Sequence, residues 1–330
     1  MSVRTRFGRV RQTLGSSIER FERVFDSERN QDNLAAFLFV LPNLVVFSVF
    51  LFGPVLFAFY LSFTDWNVLT ADPNWVGLDN YVGILTPAPW ADGWAVLDTP
   101  TTNLWWHAVK QTATYTIGTV PLAISGGLCA ALLLDRDIRQ KQLFRAAYFM
   151  PVMLSGAVSA IIWRWILNQD GIVNTVLEPI GLAHNWGGDP STALFAVMLI
   201  AVWGGIGFNM IIFLAGLQNI PEELYDAARI DGTNGWQRFR HVTWPNLQNT
   251  YFFVIVLSII SSFQVFAIAM TFAEGGPYYA TTTIAMLIYQ EAFEHGQMGE
   301  AAAMAFVLFS IIFAFSYYQY TVRGNEEVNY

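Results

Sequence analysis

Between Pro221 and Pro245 the chain reads PEELYDAARIDGTNGWQRFRHVTWP, a polar stretch set between two long apolar runs. Carboxylates (Glu222, Glu223, Asp226, Asp231) mix there with Arg229, Arg238 and Arg240, groups suited to ion pairing and docking. The order of residues predicts two short helices. Pro221 suits a first helical turn, where its missing N–H leaves nothing unbonded. Glu222, Glu223 and Asp226 lie in or just beyond that turn, where the positive helix end favours them. Asp231-Gly232 marks the stop, because glycine tolerates the left-handed conformation that a helix C-terminus commonly needs. A second helix is expected over about 236–242, with Pro245 breaking it before the next apolar run. The product is a helix–turn–helix elbow across the end of a set of apolar helices.

Other reactive patterns are absent. No Gly-x-x-x-x-Gly-Lys-Ser/Thr loop occurs, so ATP is not bound by that route. No Gly-x-Ser-x-Gly elbow points to a hydrolase. The four histidines, His107, His184, His241 and His295, show no metal-ligand spacing. The single cysteine, Cys129, excludes an internal disulfide and a cysteine-based metal site, and its apolar surroundings suggest a small buried residue. A net charge of −8 argues against nucleic acid as a partner. The expectation is a chain that is not an enzyme and holds no metal or cofactor of its own.

The elements that must carry the elbow are membrane helices. The composition is 54% hydrophobic and 13% charged, against about 25% charged in soluble domains. Six segments approach the roughly 20 apolar residues that cross a bilayer: about 34–63, 112–134, 149–167, 193–217, 251–272 and 301–320. A shorter threonine-rich stretch, 280–288, reads as a half-helix at the outer surface. Seven arginines precede the first span. Arg136, Arg139, Lys141 and Arg145 lie between the second and third, Arg229, Arg238 and Arg240 between the fourth and fifth, and Arg323 after the sixth. Positive charge concentrates on the cytoplasmic side, which puts both termini and the elbow inside. Residues 1–33 form a basic segment in which Phe7, Val10, Leu14, Ile18, Phe21 and Phe25 share a helical face. Two readings stay open for it, an amphipathic helix on the anionic leaflet and a tail that only sets topology. Residues 34–322 form the transmembrane domain, and 323–330 a cytoplasmic tail.

The ordered set Asp226-Ala227-Ala228, Gly232, Val242 and Trp244-Pro245 resembles the EAA loop of binding-protein-dependent ABC importer permeases. The pattern there is Glu-Ala-Ala, Gly, then Ile-x-Leu-Pro; here Asp226 replaces Glu, Val242 replaces Ile and Trp244 replaces Leu. Further stretches are similar to the carbohydrate-uptake branch: Leu61 to Trp66, Trp75 to Tyr81, Leu143-Phe144-Arg145 with Met150-Pro151, Phe213 to Gln218 with Ile220-Pro221, and Gly275-Gly276-Pro277. The similarity covers about 34–322 and points to the maltose- or glycerol-phosphate-type first subunit. Ala267 departs from the pattern, since the family often has Asp after a Phe-Gln-Val-Phe run.

The resemblance implies an all-α, type I ABC importer permease fold in the cell membrane. It implies three partners: a second, different permease, a cytoplasmic ABC ATPase dimer that binds ATP and Mg, and an external solute-binding protein. Coupling to the ATPase would fall to Glu222, Glu223, Asp226, Ala227, Ala228, Asp231, Gly232, Val242, Trp244 and Pro245. A path for a neutral polyol needs hydrogen-bonding groups and aromatic platforms, for which Asn209, Ser261, Ser262, Gln264, Trp163, Trp165 and Phe263 are candidates; helix–helix bonding and packing are their ordinary alternative uses. The spans carry few ionisable residues and show no broken-helix pair, which argues against an ion-driven carrier. Such a carrier, a glycerol-phosphodiester permease and a non-transporting scaffold are the competing readings.

Overall fold

The computed structural model describes residues 28–69, 72–86, 101–136 and 139–324. Most of the basic segment expected at 1–33, and the tail beyond residue 324, lie outside the described residues. Among the described residues every regular element is helical, with isolated β-bridges pairing Thr64 with Trp75 and Asn67 with Gln297.

The chain divides into a unit up to Tyr60 and a unit from Leu61 onward. In the first, α1 (Glu28–Phe47) runs through a π turn (Ser48–Phe52) into α2 (Gly53–Leu61). Pro42 sits inside α1 without ending it. The 27-residue stretch Ala35–Leu61 contains an 18-residue window with a mean hydropathy of 2.4. At 1.5 Å per residue it reaches about 40 Å, enough for a hydrocarbon core of roughly 30 Å.

The second unit begins with α3 (Asp79–Leu85) and the long α4 (Thr101–Asp135). There follow α5 (Lys141–Phe149), a 3-10 turn (Met150–Met153), α6 (Gly156–Ile166) and α7 (Ile172–Leu177). α8 (Pro190–Gln218) leads to the elbow helices α9 (Glu222–Ile230) and α10 (Gly235–Arg238). A π turn (Phe239–Thr243) joins α10 to α11 (Trp244–Phe263). The chain closes with α12 (Ala267–Ala273), α13 (Ile284–Tyr289), a second π turn (Gln290–Glu294) and α14 (Met298–Gly324). Five helices are long and apolar enough to cross a membrane, and six if the bent pair 141–153 and 156–166 counts as one.

Three of the expected boundaries are revised. The third span is not one helix over 149–167, because the chain bends by 103° at Leu154-Ser155. Pro151 sits in the 3-10 turn, and the Ser155 side chain accepts the N–H of Val158 to start α6 afresh. Pro245 does not break the fifth span: α10, the π turn and α11 run on as one helix over 235–263. The Trp244 N–H bonds back to Phe239, five residues earlier, and that widened turn accommodates the proline in the first turn of α11. The same span stops at Phe263 rather than 272. The Val265 carbonyl is taken by the Thr283 hydroxyl at 2.7 Å, so it is not passed on to a continuing helix.

α4 and α8 form the centre of the second unit along a seam of small residues. A Cβ added at Gly118 would come within 2.7 Å of Met198 Sδ, one at Gly126 within 2.8 Å of Ile206, and one at Gly205 within 2.9 Å of Ala123. At Gly127 it would lie 2.6 Å from the Asn209 Cβ and 3.0 Å from the Met210 backbone nitrogen. Small residues let helix backbones approach this closely where lipid provides no hydrophobic drive. Cys129, expected to be buried, is exposed on α4. The outward face of a span is as apolar as its inward face, so apolar neighbours in sequence do not imply burial.

Gly127→Ala is expected to force α4 from α8 and to cost about 1–3 kcal/mol. Gly204→Ala, whose added Cβ meets open space, is expected to be close to neutral. Thermal unfolding of the two purified variants in detergent checks the contrast.

Candidate functional site

The elbow takes its shape from local capping. Glu222 and Glu223 occupy the first turn of α9, and Asp231 ends it. Gly232 adopts φ +73°, and its N–H bonds to the Arg229 carbonyl at 3.1 Å. Thr233 returns both its N–H (3.1 Å) and its hydroxyl (2.6 Å) to the Ala228 carbonyl. Asn234 and Gln237 then form a capping box that starts α10. The turn is thus fully bonded within itself.

The ten residues expected to couple lie together on this elbow or at its junction with α11. Glu222, Glu223, Asp226, Ala227, Asp231, Gly232 and Pro245 are exposed. Asp226 pairs with Arg229 of its own helix at 2.7 Å. Ala228 is buried, and Val242 packs on the cluster of Leu214, Leu217, Ile220 and Leu247. Trp244 lies edge-on to Tyr251, ring centres 5.0 Å apart. The Tyr225 and Thr243 hydroxyls share a 3.0 Å hydrogen bond that ties α9 to the π turn. The outward surface offers anionic side chains plus apolar Leu224, Ile230 and Trp236, a mixture suited to docking against another protein.

Higher on the same helix lies a cavity of about 450 Å³ between α4, α6, α8, α11 and α12. Asn209, Ser261, Ser262 and Gln264 line it, as their types suggested. Trp163 and Phe263 are not among its lining residues. Trp163 makes an edge contact with Trp203 at 5.8 Å, and Phe263 packs against the cluster containing Trp105, Leu287 and Met304. Trp165 is exposed. Tyr115, Thr119, Ser159 and Ser258 also line the cavity and were not anticipated. Their signal is helical spacing of polar groups within apolar runs: Tyr115 and Thr119 are four apart, as are Ser258 and Ser262. Among the described residues, none that lines the cavity is charged.

Both chain breaks border this space. Leu154 and Gly156 flank the bend before α6, and Gln264, Val265 and Phe266 form the interruption between α11 and α12. A Cβ at Gly156 would approach Ile268 at 3.2 Å, so the starts of α6 and α12 touch. The expectation that no interrupted helices occur is therefore corrected. The interruptions arise from tertiary hydrogen bonds and from Pro151, which apolar length alone does not report.

At the opposite, acid-rich end, in the segments that carry Asp65, Asp72, Asp79, Glu291 and Glu294, two stretches singled out by their sequence fold into one knot. Asn80 Nδ2 donates to the carbonyls of Ser62 (3.0 Å) and Thr64 (2.8 Å), the Tyr81 hydroxyl donates to Ser62 Oγ (2.7 Å), and Trp75 stacks on Phe63 at 5.4 Å. This knot is strapped to the turn before α14: Val68 N–H donates to the Gly296 carbonyl (3.0 Å), and Gly299 N–H to the Trp66 carbonyl (3.1 Å). Beside that turn Glu291 is fully buried. Its Oε2 lies 3.1 Å from His295 Nδ1, and its Oε1 has no hydrogen-bond partner among the described residues. Burial pushes the Glu291 carboxyl above the usual carboxylate range, with His295 opposing the shift.

Membrane-length helices, an exposed elbow and a polar cavity on the helix that continues from it make up a multi-pass membrane protein. The family model described as "Binding-protein-dependent transport system inner membrane component" matches residues 123–323. The chain is 35% identical to the probable ABC transporter permease protein YesP of Bacillus subtilis, over 86% of this chain and 88% of that protein. It is 33% identical to the arabinooligosaccharides transport system permease protein AraP of Halalkalibacterium halodurans, over 89% of each. The trehalose/maltose transport system permease protein MalF of Thermococcus litoralis is 30% identical over 85% of this chain and 90% of its own length. Among solved structures, a bacterial ABC transporter involved in the import of the acidic polysaccharide alginate shares the fold, with TM-score 0.77 at 18% identity, covering 93% of this chain and 99% of that one. The chain belongs to the family of binding-protein-dependent transport system inner membrane components, the permeases of ABC transporters.

Glu291 supplies a pH test. Its folded-state affinity for a proton exceeds its unfolded-state affinity. Its contribution to stability is therefore full below the unfolded carboxylate pKa and is lost as pH rises through the raised folded value. The slope is at most one proton, about 1.4 kcal/mol per pH unit. Glu291→Gln, neutral throughout, is expected to flatten the decline of the melting temperature between mildly acidic and neutral pH.

Proposed function

We propose that this chain is the permease subunit of an ATP-driven importer that translocates a neutral carbohydrate. An external solute-binding protein delivers the solute to the acid-rich end. A second, different permease completes the path. A cytoplasmic ABC ATPase dimer, which binds the ATP and Mg, grips the elbow. The distribution of arginines supports a cytoplasmic elbow and cytoplasmic termini, in the cell membrane. The ATPase hydrolyses; this chain converts its closure into movement of α11 and of the cavity.

The observation that carries the reading is the cavity: hydroxyls and amides converge on it without a charged side chain, at the end of the helix that begins in the elbow. Neutral polyols offer the donors and acceptors such a lining satisfies. A phosphodiester or other anion would call for cations there, so the glycerol-phosphodiester alternative is disfavoured. The names of AraP and MalF, which specify arabinooligosaccharides and trehalose/maltose, support a carbohydrate. Co-purification through a tag on this chain should bring down a P-loop ATPase and a second permease. Proteoliposomes of that complex should import a neutral sugar with ATP and not with an ion gradient alone. Uptake on a gradient without ATP, or the absence of an ATPase, defeats the proposal.

Gly232 gives a sharper test. An added Cβ meets no atom within 4 Å, so substitutions act through the positive φ. Gly232→Val places a β-branched residue in the left-handed region, at a cost of about 1–2 kcal/mol, and is expected to uncouple uptake from hydrolysis. Gly232→Asn, which tolerates that region, is expected to keep most of the uptake. Paired measurements of uptake and ATP hydrolysis decide it.

A further inference from the structure

The second unit contains a chain of aromatic rings that neither the elbow nor the cavity requires by itself. Trp236, exposed at the elbow, stacks on Phe239 with ring centres 5.6 Å apart and planes at 27°. Phe239 meets Trp244 at 6.3 Å, and Trp244 lies edge-on to Tyr251 at 5.0 Å. Tyr251 stacks on Phe213 of α8 at 6.2 Å and 28°. Phe213 is fully buried and stands four residues from Asn209, on the same helical face. Tyr251 stands seven residues from Ser258, again on one face of its helix. The series therefore starts at the docking surface and ends within two helical turns of the cavity lining on two different helices.

Its path crosses the π turn at Phe239–Thr243, with Phe239 opening the turn and Trp244 following it. π turns are wider than α turns and are frequent at functional sites. Here the turn interrupts the regular main-chain bonding of the continuous helix that runs from the elbow to the cavity. Rings in contact across it supply stiffness that the backbone lacks there, since each ring has few torsions to yield and its contacts are directional. The Tyr225–Thr243 hydrogen bond anchors α9 to the same turn.

We infer that Phe239, Trp244 and Tyr251 form a strut that carries displacement of the elbow past the π turn into the cavity-bearing part of α11 and, through Phe213, into α8. The inference rests on the elbow being the ATPase contact proposed above. Phe239 and Tyr251 are positioning residues, touching neither solute nor nucleotide.

Spatial continuity alone does not establish coupling, so the readout is the number of ATP molecules hydrolysed per solute imported, measured in proteoliposomes of the complete complex. Tyr251→Leu is expected to raise that ratio at least about fivefold, within the range of known coupling factors, while the ATPase still co-purifies. Tyr251→Phe, which keeps the ring, is expected to stay at the wild-type ratio. Should Tyr251→Leu fail to assemble, Phe239→Leu, half-buried at the first position of the π turn, is read in its place. A wild-type ratio in an assembled leucine variant overturns the strut. A wild-type complex that imports nothing on ATP overturns the underlying function instead, so the two failures are distinguishable.

Discussion

Gly118, Gly126, Gly127 and Gly205 let α4 and α8 approach until an added methyl carbon would collide with the facing helix. Everything else in the second unit is placed relative to that pair. The seam sets the rotation of both helices. It turns Tyr115 and Thr119 from one side, and Asn209 from the other, onto a shared space that α11 closes. Toward the elbow the same logic recurs at Gly216, where a Cβ would meet Thr250 Oγ1 at 2.6 Å. In lipid, where burying apolar surface gains little, such contact is the main specific attraction available. Small residues at the interface therefore decide geometry that large residues would decide in a soluble core.

On this frame the elbow and cavity belong to one mechanical element. α10, the π turn and α11 make a continuous helix from the exposed surface of the basic end to Ser261 and Phe263. The helix ends where Thr283 captures the Val265 carbonyl, and the short α12 begins beyond it. The helical backbone around the cavity is thus interrupted at residues 154–155 and 264–266. Because the helix stops at the cavity wall, a displacement of it along or about its axis can change the wall without unfolding the span.

Some of this was legible in the order of residues. Pro221, Asp231-Gly232 and the carboxylates of the first turn specify the elbow locally, and the structure follows them closely. Apolar length located the long spans. The interruptions were hidden, because Thr283 acts on Val265 from eighteen residues away and because Pro151 and Pro245 have opposite outcomes. One proline sits at a bend; the other is absorbed by a π turn. The division of polar and aromatic residues between cavity and packing was also hidden. Ser261 faces the space and Phe263 does not, and only the rotation of α11 relative to α4 and α8 distinguishes them. The same rotation exposes Cys129.

The π turn at 239–243 has one more consequence. Such a turn contains one residue more than ordinary winding needs. Deleting a single residue there would let the turn tighten to ordinary α winding while the flanking segments kept nearly the same rotation, whereas a deletion in the regular part of α11 would swing the elbow end by about 100° about the axis. In the second case Ser258 and Ser261 would keep their places while Trp236 and Gly232 came to face another side. Where a residue is lost between Gly232 and Ser261 therefore matters as much as which one is lost: the π turn can give one up and keep both ends in register, and the regular helix cannot.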